Sequence, residues 1–191
     1  MGRKLNKEEA LSKAVALFWK HGYGATSMEM LTSALGVEKP SIYAAFGNKH
    51  SLFLSALLHY RTDLVARVRH ALTSADSPRK GIERVVRFMM TTLYQKGVVS
   101  GCFATNSALE LADHDTEVAK HVVIMLRELR DAFEYAIAQA QKQGQVTETA
   151  PARVIANFLI AAIEGVRITE KASPPKAELD ALADFVLRAL G

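Results

Sequence analysis

Between residues 37 and 49 the chain reads VEKPSIYAAFGNK, a set of side chains better suited to gripping a polyanion than to turning over a small substrate. Lys39 and Lys49 bring positive charge to its two ends, Ser41 and Tyr43 bring hydroxyls, and Pro40 and Ala44 are compact. On a short helix, Lys39, Pro40, Ser41 and Ala44 would face a major groove, where small side chains allow close approach and Lys39 can reach guanine acceptors. The Tyr43 hydroxyl suits a phosphate, while Ile42, Ala45 and Phe46 hold the helix down from behind. Helix starts on either side add backbone N–H donors and partial positive charge, which favour phosphate. Thr26 and Ser27 stand at one such start, and Asn48, Lys49 and His50 at the other. Phosphate contacts of this kind set register, and base contacts set sequence.

Two other groups could do chemistry. Cys102 lies in VVSGCFATN at an expected helix start, where the helix dipole favours the thiolate that reacts with oxidants and electrophiles. Against that, a lone cysteine beside phenylalanine behaves as a small buried apolar residue, and this structural reading carries more weight. Asp113, His114, Asp115, Glu117 and His121 have a superficial look of metal ligands, with the two histidines seven apart on one helix face. Acids at a helix start are expected for capping, however, so neither a metal site nor a cofactor is assigned. With no glycine-rich phosphate loop, HExxH or elbow serine, the chain is not read as an enzyme.

These residues need elements to hold them, and the sequence supplies helices throughout. Hydrophobic residues make up 49% of the 191 and charged residues 23%, enough apolar side chains for a sizeable core. Asn6 with Glu9 forms a capping-box pattern before Ala10, Leu11, Ala14, Leu17 and Phe18, and Gly22-Tyr23-Gly24 ends that helix. Thr26 with Glu29 repeats the pattern for a second helix that stops at Gly36. The stretch after Leu35-Gly36-Val37-Glu38 is a third, and Asn48 caps a fourth running to about Leu72. A fifth begins at Pro78 and reaches about Lys96, and a sixth covers roughly Cys102 to Ala112. The seventh ends near Gly144, the eighth runs from Pro151 to about Lys171, and the ninth follows Ser173-Pro174-Pro175. The expected fold is all-α with nine helices. A helix-turn-helix domain over 1–50 precedes a ligand-binding and dimerisation domain over 51–191.

Charge agrees with that division. Residues 1–50 hold seven Lys or Arg against four acids, a balance of +3, whereas the other 141 residues hold 17 against 16. The opening MGRKLNKEEA has no apolar run, so no signal peptide is expected, and Asn6 stands where a myristoylation signal wants Ser or Thr. The apolar stretch from Val154 to Ile168 is broken by Asn157, Glu164 and Arg167, so no membrane span is expected. One cysteine fits a reducing cytoplasm.

The run LFWKHGYGATSMEMLTSALGVEKPSIYAAFGNKHSL resembles the amino-terminal signature of TetR-family transcriptional repressors over about residues 10–58. Leu-Phe and Gly-Tyr close the first helix, Thr-Ser opens the second, Gly-Val marks the turn, and Tyr, Phe and Lys follow at the family's spacing. Pro40 departs from the Gly or Ala of many relatives. The resemblance implies an all-helical homodimer that binds a near-palindromic double-stranded operator as a repressor and is released by an effector. Gly101-Cys102 followed by Asn-Ser-Ala-Leu-Glu-Leu resembles a subgroup that includes thiol-based sensors, and Lys171 lies near where such sensors carry a lysine partner. The effector is accordingly a small molecule or an electrophile.

Helices five to eight are expected to enclose the effector site. Met89, Met90, Leu93, Phe103, Met125, Phe133 and Phe158 could line it, with Asn106, Arg127 and Glu164 as polar anchors, although for each methionine and phenylalanine plain core is the stronger reading. Helices eight and nine are expected to form the homodimer through Val154, Phe158, Ala161, Ala162, Gly165 and Val166, and through Leu179, Leu182, Phe185, Val186 and Leu190. Packing of those faces within one chain competes with that reading. The alternatives to a ligand-released repressor are one switched by oxidation or alkylation of Cys102, or a helical adaptor that binds protein alone.

Overall fold

A computed structural model describes residues 6–92, 101–169 and 175–191. Among these the chain forms nine α-helices: α1 (Lys7–Ala25), α2 (Met28–Leu35), α3 (Lys39–Phe46), α4 (Lys49–Thr73), α5 (Pro78–Arg87), α6 (Phe103–Leu111), α7 (Thr116–Lys142), α8 (Ala152–Thr169) and α9 (Lys176–Arg188). The all-helical expectation holds. The fifth helix departs from it, because regular α geometry ends at Arg87 and a π-helical turn, Phe88–Thr92, follows. Such turns carry an extra backbone group per loop and are uncommon. Leu93 and Lys171, both named for effector sensing, lie outside the described residues.

The chain divides into two compact units, the first within Met1–Asp63 and Phe103–Val123, the second within Leu64–Cys102 and Ile124–Gly191. The first therefore takes in α6 and the start of α7 as well as the amino-terminal helices, more than the 1–50 expected from sequence. Its core explains why. Phe18, Phe53 and Phe103 are buried together, with Phe18 and Phe53 edge-to-face at 5.1 Å, Phe53 and Phe103 at 5.8 Å and Tyr60 and Phe103 at 5.5 Å. Trp19 adds a ring at 5.3 Å from Tyr60. Edge-to-face pairs at these separations are favourable beyond the apolar area they bury. Phe103, expected at an effector site, is instead a core residue of this aromatic cluster.

Start signals read from sequence are present in atomic detail. Asn6 accepts from the N–H groups of Glu8 and Glu9, and Asn48 accepts from Ser51 N–H at 2.8 Å. In the second unit Ser77 caps α5, with Pro78 in its first turn. Met89, Met90, Met125 and Phe133 are completely buried there, close-packed core rather than open lining. Arg79 ties α5 to the end of α9: its guanidinium donates to Leu187 O at 3.0 Å and Gly191 O at 2.8 Å while pairing with Glu83 at 2.8 Å.

Helices α8 and α9 sort their apolar residues into two faces. Ile155, Leu159, Ile163 and Val166 of α8, with Leu179, Ala183, Val186 and Leu187 of α9, are buried within the chain. Val154, Phe158 and Ile168 of α8, and Leu182 and Phe185 of α9, are exposed. Phe158, another residue assigned to effector sensing, thus belongs to an outward stripe.

Candidate nucleic-acid interface

Each part of the helix-turn-helix has a local cause. Ser27 caps α2 by accepting from Met30 N–H at 3.2 Å. The helix stops at Gly36, whose φ of 68° is left-handed and open to glycine without strain. The N–H groups of Gly36 and Val37 close on Thr32 O at 2.9 and 3.3 Å, reversing the chain. Three residues later α3 begins, with proline in its first turn, where the missing N–H costs nothing.

The eight residues of α3 separate cleanly by environment. Ile42 is fully buried and Ala45 and Phe46 are half-buried, whereas Lys39, Pro40, Ser41, Tyr43 and Ala44 are exposed. Lys39 Nζ stands 5.9 Å from the Tyr43 ring. The outward face is therefore small, hydroxylated and cationic, projecting from a helix pinned by one aliphatic side chain. At its edge, Glu29 and Glu38 line a groove across α2 and the turn, with Met28, Thr32, Ser33, Gly36, Val37 and Lys39. Hydrogen bonds from Ser27 and the backbone hold the Glu29 carboxyl below the usual carboxylate range. Lys39 lines the same groove as these acids, and its charge adds to the lowering of Glu29.

The flanking positions are rearranged relative to expectation. Ser27, not Thr26, opens α2. Thr26 is completely buried, and its hydroxyl donates to Gly22 O at 2.6 Å, so its side chain holds the corner between α1 and α2 instead of facing phosphate. Lys49 Nζ sits 4.3 Å over the ring of Tyr23, a cation–π contact that leaves its charge near the surface. His50 Nε2 is paired with Asp115 Oδ2 at 2.6 Å, which turns the imidazole toward its own unit. Burial would raise the Asp115 carboxyl, but hydrogen bonds from His50 and from the Val118 and Glu117 amides outweigh it and hold the group below the ordinary range. Asp115 thus caps α7, as the acidic helix start foretold. Tyr23 touches His50, Phe18 and Phe53, and burial followed by the Asp115 charge pushes its phenol up.

One anchor was missed altogether. Both carboxylate oxygens of Glu110 accept backbone N–H groups at the end of α1, from Tyr23 at 2.9 Å and Gly24 at 2.7 Å. These partners are 87 and 86 residues apart in sequence, beyond any helical periodicity. The doubled glycine at 22 and 24 was the available hint that something approaches the backbone closely.

Cys102 is buried, immediately before α6, and Phe103 is in the aromatic cluster. Met89 is buried in the second unit, Asn106 is half-buried on α6, and Phe158 is exposed on α8. A cavity of about 520 Å³ in the second unit is lined by other residues: Leu72, Ala75, Pro78, Ala132, Tyr135 and Ala136 with Arg69, Thr73, Asp131 and Gln139. Among the described residues no helix is long and apolar enough to cross a membrane.

A helix-turn-helix of α2 and α3 beside α1, with a hydroxylated outer face that carries Lys39, is the arrangement of a helix-turn-helix DNA-binding protein. The chain belongs to the TetR family of transcriptional regulators. Residues 10–56 match the model for bacterial regulatory proteins of the tetR family, and residues 78–185 match the tetracyclin repressor-like carboxy-terminal domain. It is 30% identical over 189 residues to the uncharacterized HTH-type transcriptional regulator YezE of Bacillus subtilis (strain 168), covering 97% of this chain and 96% of that one. It is 27% identical over 184 residues to the HTH-type transcriptional repressor ComR of Escherichia coli (strain K12), covering 96% and 88%. Among solved structures, a cysteine mutant of the TetR family transcriptional regulator CifR, in complex with 26-bp double-stranded operator DNA, superposes with a TM-score of 0.87. It is 27% identical, with complete coverage of both chains.

Proposed function

We propose that this chain is a cytoplasmic transcriptional repressor that binds a near-palindromic operator as a homodimer and leaves it when a small-molecule effector binds. The observation that carries the proposal is the outward display of Lys39, Pro40, Ser41, Tyr43 and Ala44 around a fully buried Ile42. In this reading Lys39 and Ser41 reach base edges, Tyr43 and Lys49 take phosphates, and the starts of α2 and α4 at Ser27 and Asn48 add amide donors. His50 contributes through its pair with Asp115 instead of by contact. The relatives named above include a repressor and a regulator solved on operator DNA, which supports the same assignment.

The exposed stripe of α8 and α9 supports the dimer. Two reading heads related by twofold symmetry would match half-sites about one helical turn or a small multiple apart. The cavity beside Arg69 and Tyr135 is the concave feature we assign to the effector, and α4, which supplies residues to both units, would carry the bias to the reading head. Its test is operator selection from a random duplex pool, followed by a screen of small molecules for release. Replacing Lys39, Tyr43 and Lys49 together with alanine should abolish selection; retained selection would move the DNA contacts to another surface, and a wild type that selects no duplex would favour a protein-binding adaptor.

A second reading, in which oxidation or alkylation of Cys102 triggers release, draws on the thiol's place directly before α6 and on CifR having been solved as a cysteine mutant. Burial of Cys102 weighs against it. Oxidant-driven release that persists in Cys102→Ser would remove it.

A further inference from the structure

The corner between α1 and α2 is built around an acid that comes from neither helix. At Gly22 the backbone leaves helical geometry, with φ 79° and ψ 170°, and a single turn follows before α2. The amides that open this turn belong to Tyr23 and Gly24, and both are taken by Glu110 at the end of α6. A Cβ added at Gly22 would stand 2.8 Å from Glu110 Oε2, so the carboxylate sits in the space beside Gly22, whose φ of 79° already favours glycine. The Thr26 hydroxyl closes the far side of the same turn on Gly22 O. Ser27 then caps α2, so the direction in which α2 departs is set where Glu110 is attached.

A second tie runs from the same region. Asp115 caps α7 and reaches His50 in the first turn of α4. The end of α1 and the start of α4 are thus each fastened to the corner between α6 and α7, the first through a carboxylate on two amides and the second through the His50–Asp115 hydrogen bond. The carboxylate–amide link is the more directional, since two charge-assisted bonds to adjacent residues fix orientation as well as distance.

We infer that Glu110 is a positioning residue for operator binding, acting by holding the α1–α2 corner in the pose in which α3 meets DNA. Charge alone predicts the opposite effect for its removal. Taking an acid from a DNA-binding unit reduces repulsion of phosphate and should tighten binding. The sign of the change therefore separates the two accounts. The inference rests on the α3 face being the one that reads DNA, as proposed above.

The test is equilibrium binding of the full chain to a duplex selected with the wild type, at several salt concentrations, for wild type, Glu110→Ala and Glu110→Gln. Each is assayed well below its own unfolding midpoint, so that global destabilisation does not enter. Loss of two bonds to a charged acceptor should weaken binding about tenfold in Glu110→Ala, with an unchanged salt slope because the phosphate contacts themselves remain. Glu110→Gln keeps one acceptor but turns an NH2 group toward the other amide, so it should fall between. Equal or tighter binding by the alanine variant overturns the role. Should that variant fail to fold, the isosteric glutamine decides by the same criterion. A wild type that selects no duplex defeats the reading of α3 as well, whereas a binding wild type with unaffected variants defeats Glu110 alone.

Discussion

Ile42 and Tyr43 are sequence neighbours with opposite surroundings, one fully buried and the other 41% exposed, and that alternation gives α3 the outward face proposed to read DNA. The same scale shows what residue types could and could not reveal. Lys39, Pro40, Ser41, Tyr43 and Ala44 stand where helical spacing puts them, because each position depends only on local geometry around Ile42. Thr26 and His50 do not, because each found a polar partner inside the unit, at Gly22 O and Asp115, that no local pattern announces. His121 differs, since burial and not a polar partner governs it. Burial, aided by the charge of Arg61, lowers its imidazole below the ordinary value of about 6.5. The native chain then binds fewer protons than the unfolded chain once pH drops under that value. The associated stability is complete above about pH 6.5 and is lost as pH falls through the folded-state pKa. His121→Gln should flatten the acidic limb of a plot of unfolding midpoint against pH, and an unchanged limb would place the titration elsewhere.

Helices were legible because caps, glycine stops and apolar periodicity act over one or two turns. Asn6, Asn48 and Pro78 are all where those rules put helix starts, and the second helix differs by a single residue, from Thr26 to Ser27. The π-helical turn after Arg87 and the clasp of Glu110 on α1 were not legible, since both answer to tertiary packing. The division of α8 and α9 into inner and outer faces was half-legible. Periodicity marked the apolar residues but not which of them the chain itself would cover. Arg79 belongs to the same category, a surface-looking side chain in α5 that satisfies carbonyls at the end of α9. Arg79→Ala should lower unfolding free energy by about 2 kcal/mol in a denaturant titration, as expected for losing bonds from a charged donor. A change under about 0.5 kcal/mol would mean that water replaces those bonds freely.

For the molecule as a whole, the outer stripe of α8 and α9 is an apolar surface that the described residues of one chain leave exposed. Phe158 is 44% exposed and Phe185 64%, with Val154, Ile168 and Leu182 on the same helices. A twofold partner would bury this stripe, and symmetry would make the contact self-complementary. Phe158→Asp combined with Phe185→Asp should convert a dimer to a monomer in sedimentation equilibrium and weaken operator binding at least tenfold, since one reading head loses its linked neighbour. A monomeric wild type, or a dimer untouched by both charges, would move the interface elsewhere. Domain extent was the least legible quantity at this scale. Sequence divides the chain near residue 50, but Phe103 and its ring partners draw α6 into the amino-terminal unit across a long loop of sequence.

The central claim is that the exposed side of α3 reads duplex DNA, and fluorescence anisotropy on a selected duplex tests it most directly. Lys39→Ala with Tyr43→Ala should weaken binding at least about a hundredfold at constant helical content, with a salt slope shallower by about one, because Lys39 is the cation of the pair and the Tyr43 hydroxyl releases no counterion. Binding and salt slope indistinguishable from wild type would contradict the account.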